Sequence, residues 1–178
     1  MTLYNIIIVL LLIWMYFRYI GPILVTFKLD SPYARRPTRA YGKAACWDVY
    51  SIEAIDAIPA GQWREVQLGI SFAPWPHIYI PFLNLTLTPF GNVAIKMHTR
   101  SGLAIRKGAR NHLGIIDNDY RESLSAIIYN HGAYPFRIKR GQKVAQIEVY
   151  RVPNAIFIRK NKLSKSNRGR KGLGSSGE

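Results

Sequence analysis

The sequence predicts an all-β sandwich or barrel, and three observations lead there. Apolar residues recur with period two: Leu68, Ile70 and Phe72 alternate with Gln67, Gly69 and Ser71, and Ala145, Ile147 and Val149 alternate with Gln146 and Glu148. Glycines and prolines punctuate these runs at short intervals after Gly21-Pro22. No convincing amphipathic helix interrupts the pattern, so the chain reads as short strands joined by turns. At 178 residues and 48% hydrophobic composition it can bury a sizeable core, yet it is too short for two ordinary domains plus a tail. One β domain over residues 23–158 is therefore expected, between a hydrophobic segment (residues 1–22) and a flexible basic Gly/Ser-rich arm (residues 159–178).

The hydrophobic segment runs almost unbroken from Leu3 to Ile20, interrupted by Asn5 and Arg18. As a helix, its residues would span about 27 Å, close to the thickness of a bilayer core. A membrane anchor is one reading. An initiation codon placed too far upstream, or an extra element packed on the domain, are the others. A cleaved signal peptide fits poorly, because no basic stretch precedes the run and Gly21-Pro22 is not a small-x-small cleavage site. Arg18, Lys28, Arg35, Arg36 and Arg39 all lie on the C-terminal side of the run, so a spanning helix would keep the domain in the cytoplasm.

A second apolar stretch, PWPHIYIPFLNLTLTPF at residues 74–90, holds no Lys, Arg, Asp or Glu. It reads as an extended hairpin packed on an oligomer, or as a patch that meets a membrane, since large exposed apolar surfaces usually have a partner.

The formal charge of +15 is concentrated at the C-terminus, where residues 159–178 carry seven basic side chains against one acidic. Such an arm suits a solvated, disordered tail or one that closes over an anion. It contains no aromatic residue on which bases could stack, which argues against nucleic acid as a partner. The single cysteine, Cys46, excludes an internal disulfide and any multi-cysteine zinc site. The four histidines (His77, His98, His112 and His131) show no metal-ligand spacing and read as ordinary surface or core residues.

The chemistry lies in five blocks. AACWDV (residues 44–49) comes first, then RSGLA (100–104), GIIDNDY (114–120), GQKVAQ (141–146) and RGRKGLGSSG (168–177). An arginine and a hydroxyl can hold phosphate oxygens, a carboxylate can take a proton from water, and a Gly/Ser-rich basic tail can wrap backbone N–H groups around an anion. Read alone, Asp117 in IDND fits a turn-forming aspartate equally well.

In this order the blocks resemble the five motifs of the trimeric dUTP diphosphatases (dUTPases), from about Val25 to the C-terminus. The resemblance implies a jelly-roll-like barrel, a homotrimer, and hydrolysis of dUTP to dUMP and pyrophosphate by Mg²⁺-assisted attack of water on the α-phosphorus. Asp117 matches the catalytic base and Tyr120 the ring that underlies the deoxyribose and leaves no room for a 2′-hydroxyl. Arg100, Ser101 and Gly102 match the phosphate-contacting motif, and Gln146 the fourth-motif glutamine, able to reach phosphate or water. Asp48 matches an aspartate that orients waters on a Mg²⁺ held by the triphosphate. Residues 106–113 match a uracil-reading hairpin, with Asn111 and Gly114 in the substrate-binding set; Asp119 reads as structural. Arg168 would reach the γ-phosphate of a neighbouring subunit's site, with Gly174, Ser175 and Ser176 closing on the phosphates.

Four positions depart from the family pattern. Cys46 and Glu122 replace glycines, Lys143 an arginine, and Leu173 a phenylalanine. They keep open a second reading, a catalytically weak nucleotide-binding or regulatory protein. A dCTP deaminase on the related fold is disfavoured: that family uses a glutamate about ten residues past the aspartate, and no acidic residue lies between Glu122 and Glu148.

Overall fold

The computed structural model describes residues 2–76, 78–89, 91–112 and 114–166. The chain opens with helix α1 (Leu3–Met15) and a π-helical turn (Tyr16–Ile20), then runs through β1 (Val25–Leu29), β2 (Trp47–Tyr50), β3 (Ile55–Ile58), β4 (Trp63–Gln67), β5 (Ile70–Pro74), β6 (Ile78–Ile80), β7 (Leu85–Leu87) and β8 (Val93–Thr99). The short helix α2 (Ser101–Lys107) follows, then β9 (Ala109–Asn111), β10 (Ile115–Ile116), β11 (Ser125–Asn130), β12 (Phe136–Ile138) and β13 (Lys143–Arg151). The molecule is mostly β, as the period-two pattern predicts.

Two antiparallel sheets position the site, one in the order β10-β8-β13-β2 and the other β4-β11-β9. Val49, Met97 and Ile147 of the first and Val66, Ala109 and Ile128 of the second share one buried cluster. Each fully buried aliphatic side chain of this kind contributes about 1.5–3 kcal/mol. Along β13 the expected alternation holds from Ala145 to Glu148, with Ala145 and Ile147 buried and Gln146 and Glu148 half-buried; Val149 is half-buried too, and Val144 is buried beside the register shift at the start of the strand.

Elsewhere the simple pattern gives way. The run from Gln67 to Phe72 is two strands, because Gly69 takes a left-handed backbone (φ +64) between β4 and β5. The RSGLA block opens a helix where only strands were expected. Arg100 is extended and precedes its first turn, and Gly108 (φ +65) closes it in the left-handed conformation. A Cβ at Gly108 would stand 2.5 Å from the Gly132 backbone nitrogen, so no other residue fits. Seven residues are too few for a helical period to declare itself in the sequence. Residues 106–113 do not form a hairpin of their own. Their described part is the last turn of α2 followed by β9, which pairs with β11.

The apolar window Leu3–Ile20 is helical and none of it is buried, so it does not pack on the domain as a core element. Only its base is tied down. Arg151, the last residue of β13, donates from Nη2 to the carbonyls of Phe17 (3.1 Å) and Gly21, and Trp14 Nε1 donates to the Pro89 carbonyl at 2.9 Å. Pro89 belongs to the charge-free insertion, which is an exposed hairpin: β6 pairs with β7, and a 3-10 turn (Pro81–Leu83) joins them.

Candidate active site

Asp48 is the buried centre of the site. It lies on β2 among apolar neighbours and is only 1% exposed, a position that a carboxylate tolerates only when its oxygens are bonded. The neighbouring strands supply the partners. On β13, Gln146 sits in register with Asp48 and donates from Nε2 to Oδ1 at 3.1 Å, and Lys143 Nζ stands 2.7 Å from Oδ2. Arg100, just beyond β8, brings Nε to 3.0 Å from Oδ1 and donates from Nη1 to the Lys143 carbonyl at 3.2 Å. Three of the sequence-predicted residues, Asp48, Arg100 and Gln146, are thus brought into direct contact.

Lys143 was noted in the sequence only as a departure from a family pattern; the structure makes it a member of this cluster. It opens β13, the strand next to β8 and so to Arg100, just after the Gly141 turn. Burial alone would push the Asp48 carboxyl up, but bonds from Lys143 and Gln146 and the Arg100 charge more than offset it and hold Asp48 below its ordinary range. The bond to Asp48 in turn raises Lys143 above its ordinary value. Cys46, two residues before Asp48, is pushed up by burial and by the nearby charges of Glu148 and Asp48, so its thiol stays protonated at neutral pH.

Thr99 links this cluster to β9. Its Oγ1 accepts from the Asn111 backbone N–H at 2.8 Å, and Asn111 spends its amide Nδ2 on the His112 carbonyl. Asn111 Oδ1 is left buried with no donor among the described residues, an acceptor still open to a partner. Gly102 and Gly114 carry a related signal. Neither has a positive φ, and a Cβ would meet nothing at Gly114 and only the far end of Arg106 at Gly102. The described residues therefore do not require glycine at either place, and both leave the backbone open to approach. Ser101, the first residue of α2, is exposed beside Arg100.

Asp117 does not join the cluster. It follows β10, where Ile115 and Ile116 pair with Lys96 and Ile95, so it lies at the Val93 end of β8 while Arg100 lies beyond the Thr99 end. The five residue-to-residue steps from Ala94, beside Asp117, to Thr99, beside Arg100, span about 17 Å. Asp117 is exposed and lines a cleft of about 340 Å³ together with Ile115, Ile116, Asp119 and Tyr120. Tyr120 is 44% exposed and is not a core residue. Asp119, which reads as structural in the sequence, shares that cleft wall. Arg121 donates to the carbonyls of Asn118 and Tyr120 and so fixes the turn that presents Asp117; it is not turned toward Glu122. Arg168, Leu173, Gly174, Ser175 and Ser176 lie outside the described residues.

Among the described residues no group of three or more His, Cys, Asp and Glu side chains could hold a metal ion. A carboxylate offers about four acceptor positions, and three donors already occupy Asp48. The residues present therefore fit a cation held through water and a phosphate chain, and not a protein-only cage.

A carboxylate and its cations at one strand end, and a second carboxylate over a cleft at the other, define a β protein built to handle an anionic ligand. The chain belongs to the dUTPase family, whose match covers residues 32–177. A deoxyuridine 5'-triphosphate nucleotidohydrolase of Candida albicans is 35% identical over 152 residues, spanning 84% of this chain and 86% of the relative. That of Saccharomyces cerevisiae is 32% identical over 151 residues, spanning 84% and 92%. Among solved structures, the dUTPase of Staphylococcus bacteriophage 80alpha with dUPNHPP superposes with a TM-score of 0.73 at 21% identity, covering 87% of this chain and 99% of that one. A dUTPase from phage phi11 of S. aureus, described with a structural Mg(II) ion, gives 0.64 at 18% identity, covering 78% and 97%.

Proposed function

We propose that this protein hydrolyses dUTP to dUMP and pyrophosphate as a membrane-anchored homotrimer of jelly-roll-like subunits. The observation that carries this reading is the separation of Asp117 from Arg100 along β8. A single nucleotide must meet both the phosphate-holding cations and the base, and one subunit holds these groups about 17 Å apart. Sites shared between subunits resolve the difficulty, because the Asp117 cleft of one copy can face the Asp48 cluster of the next. Ile115 and Ile105, both largely exposed next to the two half-sites, supply apolar surface for such a contact.

In the assembled site the uracil N3–H donates to the Asn111 acceptor, while Gly102 and Gly114 let the ligand approach the backbone. Tyr120 lies beneath the sugar. Arg100 keeps Nε on Asp48 and has Nη2 for a phosphate oxygen, beside the Ser101 hydroxyl. Asp117 takes the proton from the attacking water as the bond to the α-phosphorus forms and pyrophosphate leaves. Bound Mg²⁺ would neutralise triphosphate charge, with Asp48 and Gln146 orienting its waters. The arm carrying Arg168, Gly174, Ser175 and Ser176 would close the site in trans. Leu3–Ile20, long and apolar enough to cross a bilayer and unburied along its length, supports the anchor, with the domain on the cytoplasmic side.

Pyrophosphate release measured with dUTP, dCTP, dTTP and UTP tests the activity. Release from dUTP alone is expected. Tight dUTP binding with no release would instead favour the regulatory reading.

A further inference from the structure

We propose that the β6–β7 hairpin is a second membrane contact, lying in the interfacial layer of the same bilayer that α1 enters. The inference rests on the reading of Leu3–Ile20 as an anchor. Residues 74–90 carry no Lys, Arg, Asp or Glu, and the hairpin turns Ile78, Tyr79, Phe82, Leu83, Leu85 and Leu87 outward, Phe82 being 85% exposed. A continuous apolar surface of this kind is expected to be covered in the working protein.

The hydrogen bond from Trp14 to Pro89 shows what covers it. Trp14 lies six residues before Ile20, where the apolar window ends. At about 1.5 Å per residue, inserting the window as far as Ile20 carries the Pro89 carbonyl roughly 9 Å inside the end of the span. The hairpin is fused to that point by two residues and must go with it. Interfacial elements rest at about this depth, about 5–10 Å into the headgroup and acyl boundary.

The hairpin's chemistry matches that layer. Its strands pair through three residue positions and Tyr79 Oη donates to Asn84 Oδ1 at 3.2 Å. Even so, a two-stranded ribbon keeps open edges, which the hydrocarbon centre would not accept. Trp75 and Tyr79 are both exposed, and amphipathic rings of this type concentrate at membrane interfaces. Arg18 packs directly over Gly91 at the base of the insertion, placing a guanidinium at headgroup level. Continuity with α1 through the Trp14–Pro89 bond favours lipid over a second copy of the chain as the occupant.

The test uses full-length protein in phosphatidylcholine vesicles containing phosphatidylglycerol. On a Cys46→Ala background, a polarity-sensitive fluorophore is attached at Phe82→Cys, Leu10→Cys or Tyr134→Cys. Lipid-borne nitroxide is expected to remove at least about half of the emission at positions 10 and 82 and little at 134, where iodide in the water quenches instead. If position 10 is in lipid and position 82 is quenched by iodide as position 134 is, the hairpin faces water and the proposal is wrong. If position 82 is shielded from both quenchers, a second protein copy covers it and the proposal is again wrong. If position 10 itself stays in water, the anchor fails, and the proposal falls with it for a different reason.

Discussion

Lys143 Nζ stands 2.7 Å from Asp48 Oδ2, on a carboxylate that is otherwise sealed from solvent. The pair has opposite linkage signs at its two ends. Asp48 is held below its ordinary value of 3.8, so its share of stability is present above that pH and lost as the pH falls through the folded value. Lys143 is held above 10.5, so its share is present below that pH and lost as the pH rises through its folded value. Lys143→Met is expected to lower the melting temperature by a few degrees at neutral pH. The deficit should close in acid, once Asp48 is protonated in both proteins. A deficit of equal size down to the lowest accessible pH would remove the ion pair from the account.

Asp117→Asn should leave dUTP binding within a few-fold while turnover falls by at least ~100-fold, because the amide keeps the shape of the cleft wall but cannot take a proton. Single-turnover kinetics beside a binding titration separates the two quantities. Undiminished turnover would place the base elsewhere.

Tyr120→Ala opens the cleft wall on which the sugar is proposed to rest. The ratio of kcat/KM for dUTP over UTP is expected to drop by about ten-fold or more, the scale of a steric rejection that has been relieved. An unchanged ratio means that another group senses the 2′-hydroxyl.

Asn111→Ala deletes the buried Oδ1 that has no donor among the described residues. KM for dUTP should rise about ten-fold with kcat little altered, the signature of lost ground-state binding. A change in kcat alone would contradict a base-reading role.

The shared site can be tested by complementation. Arg100→Ala and Asp117→Asn chains should each be nearly inactive as homotrimers. Unfolded together in equal amounts and reassembled, they should recover activity at about a quarter of the sites, where an intact Arg100 of one chain faces an intact Asp117 of the other. Mixed trimers as inactive as their parents would put both residues in one subunit's site.

The sequence made the β class, the apolar N-terminal run and three members of the Asp48 cluster (Asp48, Arg100 and Gln146) legible, because each left a local mark: alternation, an almost unbroken apolar stretch, and motifs with their order. Gln146 could be aimed correctly from β13 alone. Other features depend on distance in the chain. Lys143 acquires its partner 95 positions away through the β13–β2 pairing, and nothing in GQKVAQ itself names Asp48. The helix that begins at Ser101 depends on Gly108 meeting Gly132 across a loop, a contact no periodicity encodes. Asn111 stands buried with its backbone N–H on Thr99, its Nδ2 on the His112 carbonyl and its Oδ1 without a donor among the described residues, a signal that exists only in three dimensions.

In the proposed membrane-anchored trimer, the tie between Arg151 and the base of the helix constrains how each subunit stands on the bilayer. One guanidinium holds the carbonyls of Phe17 and Gly21, so the last helical turn and the first linker residue cannot swing apart. Three such mounts in one bilayer would hold that trimer's three-fold axis upright. Rotation about an upright axis leaves every atom at its own altitude above the lipid. Asp117 of one subunit and Arg100 of its neighbour can therefore face the same nucleotide only if they share an altitude within one subunit, to within a nucleotide's length. All three clefts of such a trimer would then open at a single tier above the surface.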